Sequence, residues 1–102
     1  MPYALRHAET GTLLAGWQRN GYKLDYYGIV QWDDEPVAEA VAEALAQAGV
    51  PPEDEAGNPE AWEAVRLTEH EAKMANVKLR NDAGRVVHYR DGALGVGAAR
   101  DH

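Results

Sequence analysis

Few kinds of side chain in this sequence can do chemistry. It contains no cysteine and no serine, which excludes thiol nucleophiles, disulfides, cysteine metal sites and serine triads within the chain. Aliphatic hydroxyls come only from Thr10, Thr12 and Thr68. Histidines stand at 7, 70, 88 and 102 with no ligand spacing, although His7 and His88 would meet if their strands paired directly. Residues 70–74 read His-Glu-Ala-Lys-Met, so Met74 stands where a zinc-binding helix needs its second histidine. Asp33-Asp34-Glu35 concentrates negative charge as a Mg²⁺ site does. The same residues ahead of a helix offset its macrodipole by about 0.3–1 kcal/mol each, which is the reading adopted. Gly92, Gly95 and Gly97 give G-x-x-G-x-G, the wrong order for a dinucleotide loop and with no helix behind it. No catalytic residue, metal ligand or cofactor is therefore expected.

Two patterns remain, and both concern binding. The first is charge. The net charge is −7, yet residues 33–63 alone carry ten acidic side chains and no Lys or Arg. Glu35, Glu39 and Glu43 recur every four residues, and Glu53, Asp54 and Glu55 follow in a loop. Like charges at that spacing cost a few tenths of a kcal/mol per pair, a cost that mixed charge would remove. The second is aromatic. With no Phe in the chain, Trp17, Tyr22, Tyr26, Tyr27 and Trp32 crowd one short stretch. Alternation sends Tyr26 and Tyr27 to opposite faces of a strand, so some of these rings are expected at the surface, where Tyr and Trp anchor interfaces. Trp17, Tyr22 and Tyr27 are the expected anchors.

The elements that must position these residues follow from periodicity and punctuation. Residues 3–8 alternate as a strand, Glu9-Thr10-Gly11 supplies a turn, and the chain returns through 12–17. Asn20-Gly21 marks a second reversal, with further strand over 22–32 and a bulge suggested at Gly28. Asp33 or Asp34 caps a helix with Pro36 in its first turn, and Val37, Val41 and Leu45 form its apolar stripe. Gly49 and Pro51-Pro52 stop it. Residues 59–80 read as strand then helix, with Thr68-Glu69-His70-Glu71 as a capping box, or as one long helix. Arg85 to Arg90 reads as a last strand, and residues 91–102 as a fraying tail.

These pieces describe one α+β domain over residues 1–102: a mainly antiparallel sheet, with an N-terminal β-meander and a C-terminal strand, carrying two helices. No run is long and apolar enough for a membrane span and no signal peptide is legible, so a cytoplasmic protein is expected. The acidic balance disfavours direct nucleic-acid binding and favours a basic protein surface as partner. The leading expectation is a non-enzymatic acidic binding module: an inhibitor, an immunity-like protein or a nucleic-acid mimic. Its rivals are a small enzyme or ligand-binding domain using His70 or His88 with Asp33 or Glu71, and a structural module that forms homo-oligomers through its aromatic strands.

Overall fold

Apolar residues come in adjacent pairs, and the pairs explain the architecture. In Ala4-Leu5, Leu13-Leu14 and Ile29-Val30, extended backbone sends one side chain to each face. Ala4, Leu13 and Ile29 join a core cluster with Leu67, Ala72, Ala75, Leu79 and Val87. Leu5 and Leu14 join a second cluster with Val41, Ala44 and Leu45, and Val30 packs against it. The first cluster takes its helical residues from α2 (Glu69–Leu79), the second from α1 (Ala38–Gln47). The strand layer is thus buried on both sides, one helix to each face, which is why its strands lack clean apolar–polar alternation.

The computed structural model describes residues 1–19, 21–50 and 57–98. Its strands are β1 (Tyr3–His7), β2 (Ala15–Arg19), β3 (Asp25–Ile29), β4 (Trp62–Arg66), β5 (Arg85–Arg90) and β6 (Ala93–Ala98). All ladders are antiparallel: β1 with β4, β2 with β3, β5 with β6. The segment Thr12–Leu14 stitches them together. Leu14 N–H donates to the Leu5 carbonyl at 2.9 Å, Leu13 N–H to Val87 at 2.8 Å, and Val30 N–H to Leu14 at 2.9 Å. Arg6 adds a side-chain tie, donating to the Tyr89 carbonyl and pairing with Glu63 across the β1–β4 ladder. Gly11 sits at φ +80, and a Cβ there would lie 2.7 Å from Arg90 Cγ, so both conformation and space require glycine.

The α+β class, antiparallel pairing and two helices agree with the sequence reading, and several details differ. β1 forms its full ladder with β4, not with the next strand, and only isolated bridges link it to Leu13 and Trp32. Residues 59–80 resolve into a 3-10 turn (Pro59–Ala61), β4 and α2, with the Thr68–Glu71 capping box formed in both directions. α1 starts later than expected. Val37 is its N-cap, no side chain caps it, and Asp33, Asp34 and Pro36 lie ahead of the helix. Val37 is consequently 67% exposed, whereas Val41 and Leu45 are buried. The helix does end at Gly49, whose positive φ lets Gly49 N–H reach Ala46 and Val50 N–H reach Leu45. Gly28 pairs in register with Gly16, so there is no bulge. The expected fraying tail is, through Ala98, strand β6, because the Asp91-Gly92 turn has positive φ at both residues and folds the chain back on β5. His7 and His88 do not pair, because Thr12 lies between their strands.

Candidate interaction surface

The aromatic residues are positioned by the β2–β3 hairpin. Its register sets Trp17 opposite Tyr27 and Arg19 opposite Asp25 on one face, with Gln18 opposite Tyr26 on the other. The Trp17 and Tyr27 rings meet edge to face, centroids 5.5 Å apart. Tyr27 is half-buried against the core cluster that α2 completes, and that burial raises its phenol pKa above the ordinary value. Trp17 projects beyond this support and is 59% exposed. Towards the tip, Tyr22 is 87% and Leu24 63% exposed. The Arg19–Asp25 ion pair at 3.1 Å closes the same face. On the other face the Tyr26 hydroxyl donates to Gln18, whose amide donates to the Gly28 and Ile29 carbonyls at 3.0 Å. The expected Asn20-Gly21 turn falls partly outside the described residues, since Asn20 is not among them.

The free edge of β3 is closed to further pairing at two points, by Asn76 of α2 and by Asn81 just beyond its end. Asn76 Oδ1 accepts the Ile29 N–H at 2.9 Å, and Asn81 Oδ1 accepts the Tyr27 N–H. Arg80 and Asn81 take left-handed backbone, φ 53 and 56, to bring the second amide round. Neither asparagine stands out in the sequence, where Asn76 falls inside the helix expected to run to residue 80 and Asn81 just beyond it. The available signal was Asn itself, since it is a poor helix-interior residue that competes for backbone groups.

The acidic residues sit elsewhere. Glu39 and Glu43 are exposed on α1, one turn apart, on the opposite side of the sheet from Tyr27 and α2. Glu35 is exposed but precedes the helix, so the three-carboxylate helical stripe reduces to two plus a neighbour in the approach. Among the described residues, salt bridges join Arg6 to Glu63 and Arg19 to Asp25, and none reaches Asp33, Asp34, Glu35, Glu39 or Glu43. Glu43 instead accepts a hydrogen bond from Gln47 at 3.2 Å. Glu53, Asp54 and Glu55 lie outside the described residues. Between the two surfaces, Gly16, Gln18 and Val30 of the sheet and Ala44, Gln47 and Ala48 of α1 line a shallow cleft, open to solvent, that Trp17 also borders.

The groups considered for acid–base work are dispersed. Glu71 accepts Thr68 N–H at 2.9 Å and the Tyr89 hydroxyl at 2.9 Å, so both its oxygens are engaged. Those bonds lower the Glu71 pKa, and the same carboxylate raises that of Tyr89. His7 is buried, its Nδ1 accepting Glu9 and Thr10 N–H groups while its ring meets Trp62 edge on at 5.1 Å. Among the described residues no three His, Asp or Glu side chains gather as metal ligands, and no helix is long and apolar enough to cross a membrane. What the geometry defines is a small antiparallel α+β domain with an acidic helix on one side and an aromatic hairpin on the other. Compared with protein-family models, curated proteins and solved structures, the chain matches none.

Proposed function

We propose that this protein is a non-enzymatic binding module whose acidic α1 side docks on a basic protein surface. One observation carries the reading: five carboxylates over 33–43 are exposed, with no Lys or Arg paired to them among the described residues. Such a field raises the encounter rate with a cationic partner and leaves these carboxylates, with one Glu43 oxygen already accepting from Gln47, for charge-assisted bonds. Carboxylates one turn apart stand about 6 Å apart along a helix axis, a row of anions of the sort that a nucleic-acid-binding surface accepts. An inhibitor, an immunity-like protein or a nucleic-acid mimic would each use such a face, and a cytoplasmic setting accords with the cysteine-free chain.

The test is titration of the protein with a labelled lysine- and arginine-rich peptide at several salt concentrations. Binding that weakens steeply with salt and is lost in Glu39→Lys/Glu43→Lys supports the reading. Equal binding by wild type and variant would show that these carboxylates are a solvated face without that role.

A further inference from the structure

The β2–β3 hairpin is a second surface, and it keeps large apolar side chains at the surface. Trp17, Tyr22 and Leu24 are each more than half exposed within eight residues of chain. Large rings so placed gain little from folding and much from a partner that covers them. A partner strand added along β3 is a poor fit, because Asn76 and Asn81 already occupy the N–H groups of Ile29 and Tyr27 on that edge. What this end offers an occupant is the exposed side chains.

The charges flanking the rings say what kind of surface that is. Arg19 is neutralised by its ion pair with Asp25, which leaves Lys23, exposed on the hairpin, and Arg80, exposed beside the Asn81 contact to Tyr27, as the cations of this end. This end is basic around an apolar centre. The chain itself carries the complement: the outer face of α1 exposes Val37, Ala38 and Ala42, with Glu39 and Glu43 beside them. Apolar patch meets apolar patch and opposite charges meet at the rim, the arrangement that orients protein–protein docking. Within one molecule the two surfaces lie on opposite sides of the sheet and cannot cover each other.

We infer that the hairpin docks on the α1 face of a second copy of this chain. The inference rests on the proposed role of α1 as an acceptor of basic surfaces, and it names one such surface. Contact between two different faces closes into a two-fold pair when it is reciprocal and continues as a chain when it is not. Either way it competes with any other basic partner for Glu39 and Glu43.

Sedimentation of the purified chain at low salt, over a wide concentration range, tests this with two variants. Lys23→Glu/Arg80→Glu gives an acidic tip that the acidic α1 face repels. Glu39→Lys/Glu43→Lys gives a basic α1 face that the basic tip repels. Each variant alone should self-associate about tenfold more weakly than wild type. An equimolar mixture should regain association, since the native tip of one chain meets the native helix of the other and the reversed tip meets the reversed helix, and the same mixture carrying Trp17→Ala in both chains should lose it. A wild-type chain that stays monomeric throughout, or a mixture no better associated than its components, overturns the inference. Circular dichroism of each variant excludes unfolding as the cause. If the chain is monomeric yet the basic-peptide titration still depends on Glu39 and Glu43, only the self-docking inference has failed.

Discussion

Asn76 and Gly28 stand in a steric relationship that locks β3 to α2. A Cβ at Gly28 would lie 2.8 Å from Asn76 Oδ1, closer than real Cβ contacts come, and that oxygen is the acceptor for Ile29 N–H at 2.9 Å. Ile29 is buried in the core cluster that α2 completes, so its N–H has no ready access to water. Glycine at 28 thus serves proximity, letting a helix side chain substitute for the missing neighbouring strand.

Asn76→Ala should destabilise the domain by about 1–3 kcal/mol, the cost of leaving a buried N–H unsatisfied. Gly28→Ala should destabilise comparably, because the methyl group displaces the amide. The two changes should be less than additive, since either one removes the same bond. Urea denaturation of the two single variants and the double variant checks this, and fully additive losses would show that Gly28 acts independently of the amide.

Acid and alkali should both weaken the fold through Glu71 and Tyr89. The Glu71 pKa is lowered in the folded chain, first by the Thr68 N–H and then by the Tyr89 hydroxyl. Its contribution is therefore complete above the unfolded carboxylate pKa and lost as pH falls through the lower folded value. The Tyr89 pKa is raised, chiefly by its bond to Glu71. That contribution is complete below the ordinary phenol pKa and lost as pH rises through the higher folded value. Melting temperature against pH should fall at both ends, with Glu71→Gln flattening the acid limb and Tyr89→Phe reducing the alkaline one. Tyr27, raised by burial, keeps part of the alkaline loss in the second variant.

Thr68→Ala should cost about 0.5–2 kcal/mol, the range for a lost N-cap. Its hydroxyl accepts Glu71 N–H at 3.0 Å, and Glu71 returns the bond to Thr68 N–H. Thr68→Asp should recover most of that loss. No comparable effect is expected at Asp33 or Asp34, which lie ahead of α1 and do not cap it. Chemical denaturation of Thr68→Ala beside Asp34→Ala separates the two helix starts.

The contrast between those helix starts shows what was legible before the structure. A capping box is a local device, complete within four residues, and Thr68-Glu69-His70-Glu71 announced α2 correctly. The start of α1 was misread because two aspartates and a proline offer several equally good local registers, and burial of Val41 and Leu45 selects the one beginning at Ala38. Ala4-Leu5, Leu13-Leu14 and Ile29-Val30 carried the two-sided burial of the sheet in plain sight, but an adjacent apolar pair reads equally as helix or strand. The β1–β4 ladder joins residues far apart in the chain, such as Leu5 with Ala64, and no local pattern encodes that pairing. β6 was hidden by its glycines, which lower strand propensity while the Asp91-Gly92 turn supplies the pairing. Of the candidate contact residues, the exposure of Trp17 and Tyr22 followed from having too many rings for one small core. Separation of the acidic and aromatic surfaces to opposite sides followed from the helix placement, which only the tertiary structure defines.

The Glu39→Lys/Glu43→Lys variant should separate stability from binding. Both side chains are exposed and neither is joined to Lys or Arg among the described residues, so no packed contact or ion pair is lost. Glu39 and Glu43 repel each other across one turn, and their neighbours over 33–35 add to the field. Lysines at these sites would still repel each other, but within a strongly acidic segment they meet attraction on every other side. A lysine at position 39, in the first turn, opposes the helix dipole at a cost of a few tenths of a kcal/mol, while position 43 lies mid-helix, outside the turns where the dipole acts. The net change in folding free energy should stay within about 0.5 kcal/mol of zero. Binding to a basic partner should nevertheless collapse, mainly through a slower association rate, because long-range steering acts before contact. Stopped-flow association at two salt concentrations reads this directly: the gap between wild type and variant should be wide at low salt and narrow at high salt. An unchanged association rate at low salt, in a variant of undiminished stability, would remove the acidic helix from the binding role.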